Sequence, residues 1–278
     1  MTPLSPLYCD AVTRVMGVLN VTPDSFFDGG RWLDHGAAVA HGRRMVSDGA
    51  EVVDIGGEST RPGAGPVSEA EELRRVLPVV EALSAEVRVS IDTRKPSVAR
   101  AAVEAGATIV NDVSAELWSV AAETGAGWVA MHMPADPSVM QSHAHYNDVV
   151  AEVRSYLVSR AEAARAAGVE EVWIDPGIGF GKTAAHNLLL LRHLDQFVAT
   201  GWPVMVGTSR KTFLGTLTPQ PDGTPSPPDD RLEATVATTT WAMAQGVEMV
   251  RVHDVRPAAQ AAFLAARPAA PATCGGAG

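Results

Sequence analysis

ARAAVEAGATIVND, residues 99 to 112, decides the fold. An Ala-rich stretch suited to helix runs to Gly106, and a short apolar run, ATIVN (107 to 111), follows at once and ends on a polar residue. Glycine tolerates the left-handed conformation that stops a helix, so the segment reads as helix, glycine stop, strand, polar strand end. The same junction recurs at Gly49, Gly125, Gly168, Gly201 and Gly246. Working outward gives eight apolar runs: RVMGVLN (14 to 20), EVVDI (51 to 55), VRVSI (87 to 91), ATIVN, GWVAM (127 to 131), EVWID (171 to 175), PVMVG (203 to 207) and EMVRV (248 to 252). These runs are nearly continuous rather than alternating, as strands of a parallel sheet covered by helices should be. An open doubly wound sheet is the competing architecture, but eight regular units favour closure into a single-domain (β/α)8 TIM barrel.

At 278 residues the chain has room for one such barrel. The expected layout is an N-terminal extension over 1–13, the barrel over 14–266 and a disordered tail over 267–278. A Pro-rich segment, TPQPDGTPSPPDD (218 to 230), reads as a surface excursion after the seventh strand, and neither it nor the tail is expected to carry chemistry. Ser68-Glu69-Ala70-Glu71 has capping-box spacing, and Val149, Val153, Tyr156 and Leu157 share one face of a crossover helix. Pro78 interrupts a helical pattern over 69 to 84 and predicts a kink or a shortened helix.

The charge of −10 argues against nucleic acid or an anionic membrane as partner and leaves a small ligand. Cys9 and Cys274 lie in opposite tails without disulfide or zinc spacing, which suits a reducing cytoplasm. No signal peptide or membrane-spanning run is visible in the sequence.

In a parallel barrel the strand ends converge on one rim. Here those ends carry Asn20, Asp54 with Glu58, Asp92, Asn111, His132, Asp175, Arg210 with Lys211, and Arg251 with His253. A lone Asp or Asn there is more often a turn former, and His253 taken alone reads as a buried, hydrogen-bonded histidine. Eight polar ends out of eight weaken that reading and point to one ligand with an anionic part and a cation-like part. Asp92 and Asp175 suit paired N–H donors, Asn111 offers a donor and an acceptor, and Arg251 with His253 could grip a phosphate. Lys211 can be read as a Schiff-base amine or a charged donor; its place after GTSR favours the donor. GTSRKT opens a helix whose N–H groups, with Thr212, could receive a carboxylate. Two Gly-rich loops, 20 to 30 and 56 to 65, look mobile, with Phe26 as an apolar cover. No metal motif of high specificity is present.

NVTPDSFFDGG, DIGGESTRPGA, SIDT, NDVSA, MHM, IDPGIGFGKT, GTSRKT and RVHDV, in this order over residues 14 to 256, resemble the dihydropteroate synthases, a pterin-binding enzyme family. The resemblance implies a cytoplasmic, dimeric barrel, a sulfonamide target. With magnesium it would join 6-hydroxymethyl-7,8-dihydropterin pyrophosphate to p-aminobenzoate, the leaving group departing before the amine attacks. It also implies that Asp92, Asn111, Asp175 and Lys211 hold the pterin, with Met131, Phe180 and Gly207 shaping its slot. Asn20 would meet magnesium; Ser59, Arg61, Arg251 and His253 would hold the pyrophosphate; Phe26, Thr60, Pro62, Arg210 and Thr212 would form the p-aminobenzoate site. Lys211, Asp92, Arg251 and His253 are the expected catalytic set. One departure is Glu116 after NDVSA, where many relatives have a glycine pair. The rivals are a pterin-dependent methyltransferase domain, which has no use for STRP, SRK and RVHD, and a non-catalytic pterin-binding paralogue.

Overall fold

The structure, a computed structural model, describes residues 13–22, 27–28, 32–59, 65–136 and 139–266, with only the backbone of 27–28 and 32–33. The expected extension before Thr13 and the expected tail lie outside the described residues. Eight parallel strands form one sheet: β1 (Arg14–Asn20), β2 (Val52–Gly56), β3 (Arg88–Asp92), β4 (Ile109–Asp112), β5 (Gly127–Met131), β6 (Val172–Asp175), β7 (Met205–Val206) and β8 (Met249–Val252). The spatial order is β6-β5-β4-β3-β2-β1-β8-β7. The ring closes between β6 and β7 through a bridge pairing Ile174 with Val204, where Ile174 N–H donates to the Pro203 carbonyl at 2.9 Å. Each strand falls within an expected apolar run or overlaps it to within a residue; a short antiparallel hairpin (Phe27–Asp28 with Trp32–Leu33) lies outside the barrel sheet.

Ten helices are described: α1 (His35–Ser47), α2 (Glu69–Leu83), α3 (Pro96–Glu104), α4 (Trp118–Thr124), α5 (Val149–Ala166), α6 (Ala184–Arg192), α7 (Leu194–Val198), α8 (Thr212–Leu217), α9 (Leu232–Ala244) and α10 (Val255–Ala265). All six expected stop glycines take positive φ, from 69° at Gly125 to 111° at Gly106. The structure differs from the sequence reading at Pro78. Helix α2 runs through it uninterrupted, and the carbonyl of Arg74, which would have served the missing N–H, lies 3.0 Å from His35 Nε2 instead. The capping box at Ser68 is half made: Ser68 Oγ accepts from Glu71 N, but the Glu71 carboxylate turns to Arg74 and Arg75.

The hydrophobic interior has two parts. Outward-facing strand residues pack under the helices in one large cluster. Inside the ring, Met16, Val52, Ile109, Val129, Trp173, Met205 and Met249 form a separate apolar plug. Because side chains alternate along a strand, the next inward positions above the plug are Asp54, Ser90, Asn111, Met131, Asp175 and Arg251. The plug is thus the floor on which a polar layer stands. Trp173 is 2% exposed, so Trp173→Ala should cost about 3–5 kcal/mol of stability; a urea midpoint equal to that of the parent chain would show that the plug does not support the ring.

Candidate active site

Registered neighbours build the polar layer. Gly56 pairs with Asp92, Asp92 with Asn111, and Met131 with Asp175. A recess opens above it. Its polar lining is Asp92, Asn111, Asp175, Lys211 and Arg251, and its apolar walls are Val113, Met131, Ile178 and Phe180, with Gly177 and Gly207 between them. Eight of the expected site residues therefore share one cavity.

Asp54 organises its floor. One of its oxygens accepts from Asn111 Nδ2 at 2.8 Å and Arg251 Nε at 2.6 Å, and Arg251 Nη2 reaches Asp92 at 2.6 Å. With its amide nitrogen committed to a carboxylate, Asn111 has its oxygen available as an acceptor. Among the described residues, the other Asp54 oxygen and Ser90 Oγ are buried without a hydrogen-bond partner. Asp54 stood in the sequence as one polar strand end among several. Its importance comes from register, which sets it beside Ser90 and below Asn111.

Burial pushes the Asp92 carboxyl up to about 7; Arg251 and Lys211 oppose the rise, while Asp54 and Glu72 add to it. Burial also raises Asp175, although Gly177 N–H donates to it at 2.8 Å and three cations oppose the shift. Lys211 Nζ stands 3.9 Å from the centre of the Phe180 ring, and burial lowers its ammonium to about 8 against the pull of Asp175. It precedes α8, so helix geometry aims it at the rim from outside the strand.

Other expected residues sit differently. His253 does not line the recess: its N–H and Nδ1 both meet Ser209 Oγ, and burial, with Arg251 and Arg210 nearby, lowers it to about 3. Burial thus favours the neutral form of this ring. Arg210 takes a left-handed φ of 59° and makes a two-pronged pair with Asp254, with Asp229 of the Pro-rich segment 3.6 Å away. That segment is thus tied to a rim arginine. Thr212 is exposed at the start of α8, Asn20 is half-buried at the end of β1, and Ser59 is half-buried three residues past the end of β2, all three outside the recess wall. Phe26, Thr60, Arg61 and Pro62 lie outside the described residues, as do parts of both Gly-rich loops. The loop that departs at Glu116 is well held: Ala115 adopts φ 53°, and Asp112 accepts from the N–H groups of Ser114, Glu116 and Leu117 and from Trp128 Nε1.

Missed entirely was Lys182, which is 4% exposed behind the recess wall. Its partners are mostly backbone carbonyls, which leave no trace in a side-chain pattern.

A closed parallel barrel with two raised carboxylates, an amide and a buried ammonium facing a narrow apolar slit is built for a flat, amidine-bearing heterocycle. The family described as pterin binding enzyme matches residues 16–253, and the chain belongs to it. Within that family it stands among the dihydropteroate synthases. The dihydropteroate synthase of Mycobacterium leprae (strain TN) is 49% identical over 260 residues, 90% of this chain and 92% of the relative. The Xanthomonas albilineans dihydropteroate synthase solved with 4-aminobenzoic acid superposes with a TM-score of 0.83 at 47% identity, covering 91% of each chain. The Yersinia pestis enzyme, solved as a sulfonamide drug complex, gives 0.83 at 42% identity over 91% of this chain and 93% of that one.

Proposed function

We propose that the chain condenses 6-hydroxymethyl-7,8-dihydropterin pyrophosphate with p-aminobenzoate, giving 7,8-dihydropteroate and pyrophosphate. The observation that carries this is the convergence of Asp92, Asn111, Asp175 and Lys211 on one slit. The carboxylates accept the ring N–H groups, Lys211 donates to a ring acceptor, and Met131 and Phe180 cover the faces and exclude water. The bond from the pterin methylene carbon to the pyrophosphate oxygen breaks, its electron pair leaving with the oxygen. Positive charge spreads into the ring, where Asp92 and Asp175 offset it as it develops. The aniline nitrogen then forms the new C–N bond and loses its proton to solvent; because that nitrogen is nucleophilic while neutral, no general base is named.

Magnesium fits the residues present in a limited way. Among the described residues no three His, Cys, Asp or Glu side chains gather for a metal. Asn20 Oδ1 faces Gly56, 3.7 Å from where a side-chain carbon there would sit, with Asp92 beside it. A hard cation that keeps its waters and binds substrate phosphates needs little more than such an oxygen, and when bound it would neutralise the leaving pyrophosphate. Ser59, Arg61, Arg251 and His253 are assigned to the pyrophosphate. Phe26, Thr60, Pro62, Arg210 and Thr212 are assigned to p-aminobenzoate and to sulfonamides competing with it; Arg210 must share itself with Asp254 to serve there.

Purified chain with both substrates and magnesium should yield dihydropteroate by chromatography, and no product when one substrate is left out. Pterin binding without product would instead support the non-catalytic reading. A homodimer belongs to the proposal, supported by exposed Trp241, Phe263 and Leu264 on α9 and α10, and light scattering at the monomer mass would count against it. A cytoplasmic location is supported by the cysteine pattern; cell fractionation checks it. Among the described residues no helix is long and apolar enough to cross a membrane.

A further inference from the structure

Segment 176–182, PGIGFGK, forms the slit wall that carries Ile178 and Phe180. Its backbone is contorted: Gly177, Gly179 and Gly181 all have positive φ, and a side-chain carbon on Gly177 would lie 2.0 Å from the His132 carbonyl. Such a loop needs its polar backbone groups satisfied from within. Lys182 turns back beneath it. Its Nζ is 3.0 Å from the carbonyls of Gly177 and Phe180, 3.3 Å from that of His132 and 3.0 Å from His132 Nδ1. Four acceptors around one ammonium resemble the cage that backbone oxygens make for an alkali cation.

We propose that Lys182 is a positioning residue for the pterin slit, a built-in cation that fixes the loop bearing Ile178 and Phe180 from behind. Through the Phe180 carbonyl it sets the residue whose ring faces Lys211, and through the Gly177 carbonyl it anchors the residue whose own N–H reaches Asp175. His132 is matched to this task. Burial, with Lys182 beside it, lowers it to about 3, so the ring is neutral, and in the tautomer with its proton on Nε2 the Nδ1 accepts from Lys182. Burial lowers Lys182 itself to about 7, with Asp175 acting the other way; the carbonyl dipoles aimed at Nζ also favour the charged form.

The inference rests on the pterin reading of the recess, and the test keeps the two apart. Pterin-6-carboxylic acid, followed by its own fluorescence, is titrated into wild-type, Lys182→Leu, Lys182→Ala and Lys182→Gln chains. Failure of the wild type to bind counts against the pterin reading itself. If it binds, Lys182→Leu should bind about tenfold more weakly, with the pterin KM rising by a similar factor while the p-aminobenzoate KM stays near wild type. Lys182→Ala should recover part of the loss in ethylammonium and none in ethanol, a response that general destabilisation does not give. Lys182→Gln, which keeps two N–H donors, should bind between wild type and Leu, and it serves if the Leu chain does not fold. Unchanged pterin binding in a folded Leu or Gln variant overturns the proposal. So does a loss shared equally by both substrates that ethylammonium does not relieve.

Discussion

Replacing Lys211 with methionine should lower kcat/KM for the pterin substrate by about 10²–10³-fold, the usual cost of deleting one aimed donor from a water-poor site. Methionine keeps the length and apolar body of the side chain, so the Phe180 contact is largely filled and the loss isolates the ammonium. The pH dependence makes the test sharper. Burial holds this ammonium near 8, so the charged donor is present below that pH and is lost as pH rises through it. The kcat/KM profile of the wild type, which reports the free enzyme, should therefore fall on its alkaline side near pH 8. In Lys211→Met the part of that fall centred near pH 8 should be lost. Near-normal turnover, or an alkaline limb that persists unchanged, would remove Lys211 from its assigned role.

The second large effect concerns stability as much as activity. Arg251 bridges Asp54 and Asp92 with separate nitrogens, and Asp54 is fully buried. Arg251→Ala leaves two neighbouring carboxylates with no cation between them, a change that costs about 3–5 kcal/mol when a buried pair loses one member. The sign of the pH dependence follows from Asp92. Its folded carboxyl lies near 7 even with Arg251 opposing the rise, well above the unfolded value of about 4. Its contribution is therefore most favourable below the unfolded value and is lost as pH climbs toward and past 7. Without Arg251 the folded value lies higher still, so the gap between variant and wild type should widen from pH 5 to pH 8. Urea midpoints at the two pH values measure this; a gap that narrows with rising pH contradicts the bridge.

The barrel was legible because its rule is local. A glycine at positive φ ends the helix and the strand starts within four residues, as at Gly106 before β4, and both steps depend on neighbours in sequence. The rim residues were legible for a related reason: strand ends in a parallel ring converge, so Asp92, Asn111, Asp175 and Lys211 needed no knowledge of distant contacts. What escaped depended on remote partners. Helix α2 survives Pro78 because His35, 39 residues from Arg74, takes the orphaned carbonyl. His253 and Arg210 turn to Ser209 and Asp254 rather than to the recess. Lys182 was invisible because carbonyls, which every residue has, are its main partners.

The ring is fastened unevenly. β1 and β8 are paired over four consecutive positions, whereas β6 and β7 meet through a single bridge beside a strand of two residues. The molecule is therefore a bracelet whose clasp lies next to Gly201, far in sequence from the junction that joins first strand to last. A circularly permuted chain opened at that exposed glycine would place its new ends at an existing gap and leave the better-sewn side, with Asp54 and Arg251 across it, intact.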